Sequence, residues 1–193
     1  MREIDSCAFI EAECDNIASC FKKLKSLSPQ VDKAAKMIIA SLKAGGKVMF
    51  CGNGGSAADS QHLAAELTGR YQMERIGMAG LALTVDTSAI TAIANDYEYE
   101  SIFSRQLEAL ARNGDVLYAI STSGNSKNVL LAADKARELG VKVIAATGMD
   151  GGALAGVADV LLNVPAETSN HIQEMHIAMG HMICGIVERV MNA

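Results

Sequence analysis

Apolar residues recur along this chain in two rhythms. Over residues 3–27, Ile10, Ile17, Phe21 and Leu24 fall at helical spacing until Ser28-Pro29 breaks the pattern. From Val31 to Ala44 the stripe resumes with Val31, Ala34, Ala35, Ile38 and Leu42, and Gly45-Gly46 closes it. Two amphipathic helices therefore precede the first strand. Beyond them, solid apolar runs alternate with helical stretches. Strands are expected at Val48–Cys51, Leu81–Val85, Val116–Ile120, Val141–Ala145 and Val160–Val164. Helices are expected over 56–69 and 126–139, a mostly helical region from Ser88 to Arg112, and a short turn or helix over 150–157. Strands apolar throughout and separated by helices imply a parallel sheet covered on both faces, hence a three-layer α/β/α sandwich with right-handed crossovers. The last helix, 169–191, carries Ile172, Met175, Met179, Met182, Ile186 and Val190 on one side and Ile177, Cys184 and Val187 on another. A helix apolar nearly all round is buried on several sides, and in a chain this small that points to burial between subunits.

Two loops interrupt this pattern with polar chemistry. In KVMFCGNGGSAADSQHLAAELTGR, residues 47–70, a buried strand runs into Gly52-Asn53-Gly54-Gly55, and Ser56 occupies the expected N-cap of an alanine-rich helix. Free N–H groups at the positive end of a helix dipole attract anions. Four residues apart on that helix, His62 and Glu66 share a face. The second loop, Ser121-Thr122-Ser123-Gly124-Asn125-Ser126, puts four hydroxyls at the carboxyl end of a strand and the mouth of a helix. Such a loop can surround a phosphate monoester without arginine; a serine-rich N-cap turn is its plainer reading. The first loop also reads G-x-G-x-x-A, with Asp86 closing the next strand. Asp86 follows Gly52 by 34 residues instead of the usual ~20, so a dinucleotide site fits poorly. The absence of a Lys-Ser/Thr pair after the glycines excludes a nucleotide-hydrolysing P-loop.

Composition narrows the partners. The 193 residues are half hydrophobic and one-fifth charged, which suits one soluble globular domain. No apolar run reaches the ~18 residues of a membrane span, and MREIDSCAFIEAECD lacks the stretch of a signal peptide, so a cytoplasmic address is expected. Five cysteines without a CxxC pair suit reduced, buried thiols. A net charge of -5 argues against broad binding to nucleic acid or anionic membrane.

GNGGSAADSQHLAAEL, AIANDYEYESIFSRQ, ISTSGNSKNVL and IQEMHIAMGH together resemble the sugar isomerase (SIS) family over nearly the whole chain, and within it the phosphoheptose isomerase branch. ISTSGNS carries the general phosphate loop; the other three stretches narrow the match. The resemblance implies a flavodoxin-like five-stranded sheet in a single SIS domain over 1–193, with 1–45 a helical extension and 46–193 the α/β core. It implies a homotetramer with active sites between subunits, and conversion of sedoheptulose 7-phosphate to a glycero-manno-heptose 7-phosphate for the lipopolysaccharide core or a surface polysaccharide. Residue by residue, it implies Ser121, Thr122, Ser123 and Ser126 around the phosphate. Asn53, Gly54 and Gly55 are implied beside the sugar, Asn95 and Asp96 as contacts from the loop after the second strand, and Glu66 and His181 as the acid/base pair. His62, Glu66, Gln173 and His181 resemble a zinc site, one ion per subunit, with Glu66 and Gln173 also near substrate. Asp59 resembles a residue near the reacting carbons.

Aldose–ketose interconversion moves a proton between C1 and C2 through an enediol and another between the oxygens, work suited to a carboxylate and an imidazole. Glu66 at carbon and His181 at oxygen or ring opening is one allocation; the reverse is the other. Gln173 and His181 are eight apart on one helix, a rise of ~12 Å, so a common ion needs bending side chains or two subunits. Zinc on Glu66 also competes with its use as a base, unless the ion polarises the sugar oxygens and holds Glu66 loosely. Without the resemblance, His62/Glu66 reads as a surface pair, His181 as a core histidine, and Asn95-Asp96 as a turn. His171 reads as helix-terminal, His176 as an interface residue and the Met stripe as packing. Non-enzymatic SIS proteins, which sense sugar phosphates or bind a replication initiator as tetramers, are the alternative class. They have no need of the titratable set present here, and turnover of sedoheptulose 7-phosphate separates the two.

Overall fold

The computed structural model describes residues 4–193; the expected start of the first helix at residue 3 lies outside them. The chain runs α1 (Ser6–Leu24), α2 (Ser28–Lys43), β1 (Val48–Gly52), α3 (Gly55–Thr68), β2 (Gly80–Ala82), α4 (Thr87–Asp96) and α5 (Ser104–Leu110). It continues β3 (Val116–Ile120), α6 (Lys127–Glu138), β4 (Lys142–Thr147), β5 (Val160–Asn163) and α7 (Ser169–Met191). All pairings are parallel and the order is β2-β1-β3-β4-β5, the flavodoxin-like arrangement implied by the resemblance. From β1 the chain crosses to one side of the sheet and from β3 to the other. The crevice above their carboxyl ends is thus the topological switch point, where ligands of open α/β sheets bind.

Strand residues are buried on both sides because each face has its own helical cover. Val48 and Phe50 of β1 join a core with α2, α3 and α7, whereas Met49 and Cys51 face a second core built with α5 and α6. On the first face α3 and α7 lie alongside each other in parallel. Gly55 meets Gln173, His62 meets His181, and a Cβ on Gly180 would fall 2.5 Å from Leu63. A glycine at 180 lets the two helices approach this closely.

Several expectations are corrected. β2 covers only Gly80–Ala82: Leu83 N–H still donates to the Phe50 carbonyl at 2.9 Å, but the chain then turns away at this edge. Asp86 caps α4, its Oδ1 accepting the Ala89 N–H at 2.9 Å, so it is a helix start and not the ribose-binding end of a strand. His176 is 1% exposed in the chain's own core, not at a surface between subunits, with Nε2 3.0 Å from the Thr147 carbonyl oxygen. All five cysteines are free, but only Cys51 and Cys184 are buried; Cys7 and Cys14 are exposed because α1 lies on the outside. His171, at the start of α7, has Nε2 3.2 Å from Oε2 of Glu13 on α1. Among the described residues no helix is long and apolar enough to cross a membrane.

Gly180→Val should lower unfolding free energy by ~1–3 kcal/mol through overpacking against Leu63. Urea denaturation reads this directly.

Candidate functional site

The crevice is walled by the two polar loops. At Gly52 a Cβ would lie 2.8 Å from the Ser56 Cβ, and Gly54 takes φ +56°, so the turn out of β1 demands glycine at both places. Gly54, not Ser56, is the N-cap of α3; Ser56 is buried inside the first turn. The N–H groups of Ser56, Ala57 and Ala58 are bonded to the carbonyls of Asn53 and Gly54, leaving this loop fewer free donors than its sequence suggests. Gly55 is pressed directly against the Gln173 carboxamide, so any side chain there displaces Gln173.

The hydroxyl loop is better built for an anion. Ser126 stands at the N-cap position of α6 in extended conformation, yet its side chain makes no capping bond. Its hydroxyl instead lies 3.0 Å from that of the buried Ser121, which closes the loop across its mouth. Gly124, at φ +66°, sits directly on the Gly151 carbonyl. The segment after β4 braces the loop: Gly148 N–H donates to the Thr122 carbonyl, Leu154 N–H to that of Gly124, and Ala153 N–H to Asn125 Oδ1, each at 3.0 Å. Thr122 and Ser123 remain partly exposed.

Asn53 links the two loops. Its Nδ2 donates to Asn128 Oδ1 at 2.9 Å, and its Oδ1 accepts from Asn128 Nδ2 at 2.7 Å and from the Tyr99 hydroxyl at 2.9 Å. Neither Asn128 nor Tyr99 is a residue the motifs single out; only the proximity of Asn128 to Ser126 hints at it. Asn95 and Asp96 belong to the last turn of α4, not to a loop. They are exposed, with Asn95 Nδ2 donating to Asp96 Oδ1 at 2.9 Å.

Further along α3 and α7 is the titratable cluster. His62 Nε2 lies 2.9 Å from His181 Nε2 and 3.1 Å from Glu66 Oε1. Donor atoms of all three fall within 4.8 Å of one another. Two imidazole nitrogens and a carboxylate oxygen this close together form a set of donors able to hold a metal ion. Partial burial and the neighbouring His62 push the His181 pKa down, against the opposing pull of Glu66. Tyr71 stacks on the His181 ring, centroids 5.7 Å apart at 24°. Gln173 is not brought to this cluster within the chain. It stays level with Gly55, about 12 Å of helix rise from His181, lining a hollow of about 230 Å³ with Asp59, Asn170, Glu174 and Ile177. Asp59 is buried there with Oδ2 unpartnered, and desolvation lifts its pKa to about 6 despite the attraction of His62.

Residues 14–148 match the SIS domain family. The phosphoheptose isomerase of Rhodospirillum rubrum is 57% identical over 93% of this chain and 95% of its own. That of Akkermansia muciniphila is 54% identical over 94% and 96%. Among solved structures, a phosphoheptose isomerase from Neisseria gonorrhoeae superposes with a TM-score of 0.90 at 44% identity, covering 94% of this chain and 98% of the other.

Asp59 makes a prediction about pH. Its folded pKa of about 6 lies above the ordinary 3.8, so the folded state binds the extra proton and stability falls as pH rises through that interval. Asp59→Asn should flatten this slope and raise stability above pH 6, as read by urea denaturation across a pH series.

Proposed function

This chain belongs to the SIS-domain family, and within it to the phosphoheptose isomerases, and on that premise we propose that Glu66 and His181 are its acid/base pair. The reaction is an aldose–ketose isomerisation of a sugar phosphate, sedoheptulose 7-phosphate to D-glycero-D-manno-heptose 7-phosphate. One observation supports the residue reading: side-chain donor atoms of His62 and Glu66 on α3 and of His181 on α7 lie within 4.8 Å of one another.

The hydroxyls of Ser121, Thr122, Ser123 and Ser126 hold the phosphoryl group, and the half-open loop leaves Thr122 and Ser123 accessible for it. Asn53, held by Asn128 and Tyr99, aligns the sugar chain with Gly54 and Gly55, and Asn95 and Asp96, exposed at the end of α4, are further substrate contacts. Glu66 takes the proton from one carbon of the C1–C2 pair and returns it to the other, and the developing enediolate is neutralised at its oxygens by a proton passed through His181. The downward pull on the His181 pKa favours a neutral imidazole, able both to accept and to give that proton. His62, Glu66 and His181, with Gln173 of a neighbouring protomer, are the residues suited to one zinc ion per subunit, which when bound would supply Lewis-acid polarisation of the sugar oxygens.

The assembly in this reading is a homotetramer with sites at subunit interfaces. Its support is apolar surface left open on the outer helices: Phe9 and Ile10 on α1, Met182 and Val190 on α7, and a cavity of about 550 Å³ lined by Phe21, Leu24, Val31, Met182 and Ile186. The product serves heptose synthesis for lipopolysaccharide core or surface polysaccharide, in the cytoplasm.

Glu66→Gln and His181→Ala should each lower kcat by ~10²–10⁴-fold without shifting the thermal midpoint, in a coupled assay with sedoheptulose 7-phosphate. Normal turnover by either variant removes that residue from the mechanism. Chelation should lower activity, and added zinc should restore it; activity indifferent to chelation in verified zinc-free protein removes the ion.

A further inference from the structure

Past the acid/base cluster, α3 and α7 are joined by a buried ion pair that the chemistry above does not use. Glu188 is 1% exposed. Its carboxylate accepts the N–H groups of Tyr71 at 2.9 Å, Gln72 at 2.8 Å and Met73 at 2.9 Å, and Nε of Arg75 at 3.1 Å. Burial opposes its ionisation, but those three N–H groups and the guanidinium outweigh it and hold the carboxyl below its ordinary range. Arg75, its side chain 4% exposed, donates through its other nitrogens to the carbonyls of Glu66 at 2.7 Å, Leu67 at 2.9 Å, Gly69 at 3.0 Å and Ile76 at 3.1 Å. It therefore bonds carbonyls at the carboxyl end of α3 that have no partner within the helix, one of which belongs to Glu66 itself.

A buried pair of this kind is a poor source of net stability, because desolvation cancels much of its attraction. What it does is fix geometry. Arg75 grips the backbone beneath Glu66; Glu188 grips the backbone of Tyr71 from the helix that carries His181; and the Tyr71 ring stacks on the His181 imidazole with centroids 5.7 Å apart at 24°. His62 meets the same imidazole edge-on, with centroids 5.0 Å apart, so His181 is held between two rings.

We propose that Arg75, Glu188 and Tyr71 form a positioning unit for isomerisation: the ion pair locks the 70–76 segment between the ends of α3 and α7, and Tyr71 presses His181 into its working orientation toward Glu66. The unit touches no reacting atom and acts through His181, so the inference rests on the acid/base reading above. A displacement of about 1 Å at the reacting groups is enough to cost on the order of 10²-fold in rate, which is the scale on which such a clamp matters.

The test is a double-mutant cycle with Tyr71→Leu and His181→Ala, read as kcat and KM for sedoheptulose 7-phosphate and as imidazole resonances in the NMR spectrum, where this chain has four histidines to assign. Tyr71→Leu should lower kcat on the order of 10-fold, leave KM within about 3-fold, and shift the His181 resonances. In the His181→Ala background it should cause no further loss. Tyr71→Phe keeps the stacked ring and should restore kcat. Glu188→Gln should reproduce the Tyr71→Leu pattern where it folds; Tyr71→Leu leaves the ion pair in place and so carries the test where it does not. A normal kcat in Tyr71→Leu alongside an inactive His181→Ala overturns the positioning unit alone, as does an equal loss in both backgrounds. Full turnover by His181→Ala overturns the acid/base reading and this inference with it.

Discussion

The close parallel contact between α3 and α7 is the constraint on which the rest of the molecule depends. Gly180 is what permits it, since any side chain there collides with Leu63. Parallel packing in this register sets residues of the first core helix level with residues of the last: Gly55 with Gln173, and His62 with His181. Chemistry divided between distant parts of the sequence is thereby assembled by backbone geometry, before any side-chain bond is counted. The ion pair of Arg75 and Glu188 closes the far end of the same helix pair.

The sheet supplies the other half of the site. Because β1 and β3 are neighbours whose crossovers leave in opposite directions, their loops open onto one crevice. There the two loops are made differently. The glycine loop spends its first-turn N–H groups on its own carbonyls and is shaped for close approach, whereas the hydroxyl loop leaves Ser126 uncapping and turned inward toward Ser121. In a chain with net charge -5, the proposed phosphate site is thus a neutral, hydrogen-bonding cradle.

Much of this was legible along the chain, and the reasons are physical. Five apolar runs between helical stretches fix a doubly covered parallel sheet, because only such a sheet buries both faces of every strand. The spacing of His62 and Glu66 likewise survives folding, being set within one helix. The eight-position separation of Gln173 and His181 keeps them on separate levels for the same reason. What periodicity does not carry is the outcome of competition for local bonds. Ser56 has the composition of a cap, but the cap falls two residues earlier, at Gly54 with its positive φ. Leu83 to Val85 look like strand, but Asp86 recruits the chain into α4. His176 sits on an apolar helix beside residues that face outward, and only tertiary packing turns it toward the Thr147 carbonyl. Tyr71, Arg75 and Glu188 lie in none of the quoted motifs, and Asn128 lies in ISTSGNSKNVL without being singled out by it; each matters through a partner far away in the sequence, where no spacing rule reaches.

The central claim is spatial: a phosphoryl group in the Ser121–Ser126 loop, with the reacting carbons delivered to Glu66 and His181. The most direct measurement is a crystal structure of the assembled protein with a sugar phosphate bound. The account predicts phosphoryl oxygens on the hydroxyls of Ser121, Thr122, Ser123 and Ser126, with C1 and C2 about 3–3.5 Å from the Glu66 carboxylate, the His181 imidazole facing the sugar oxygens, and each group supplied by one protomer or its neighbour. A phosphoryl group held elsewhere, or carbons remote from every Glu66 and His181 in the assembly, contradicts it.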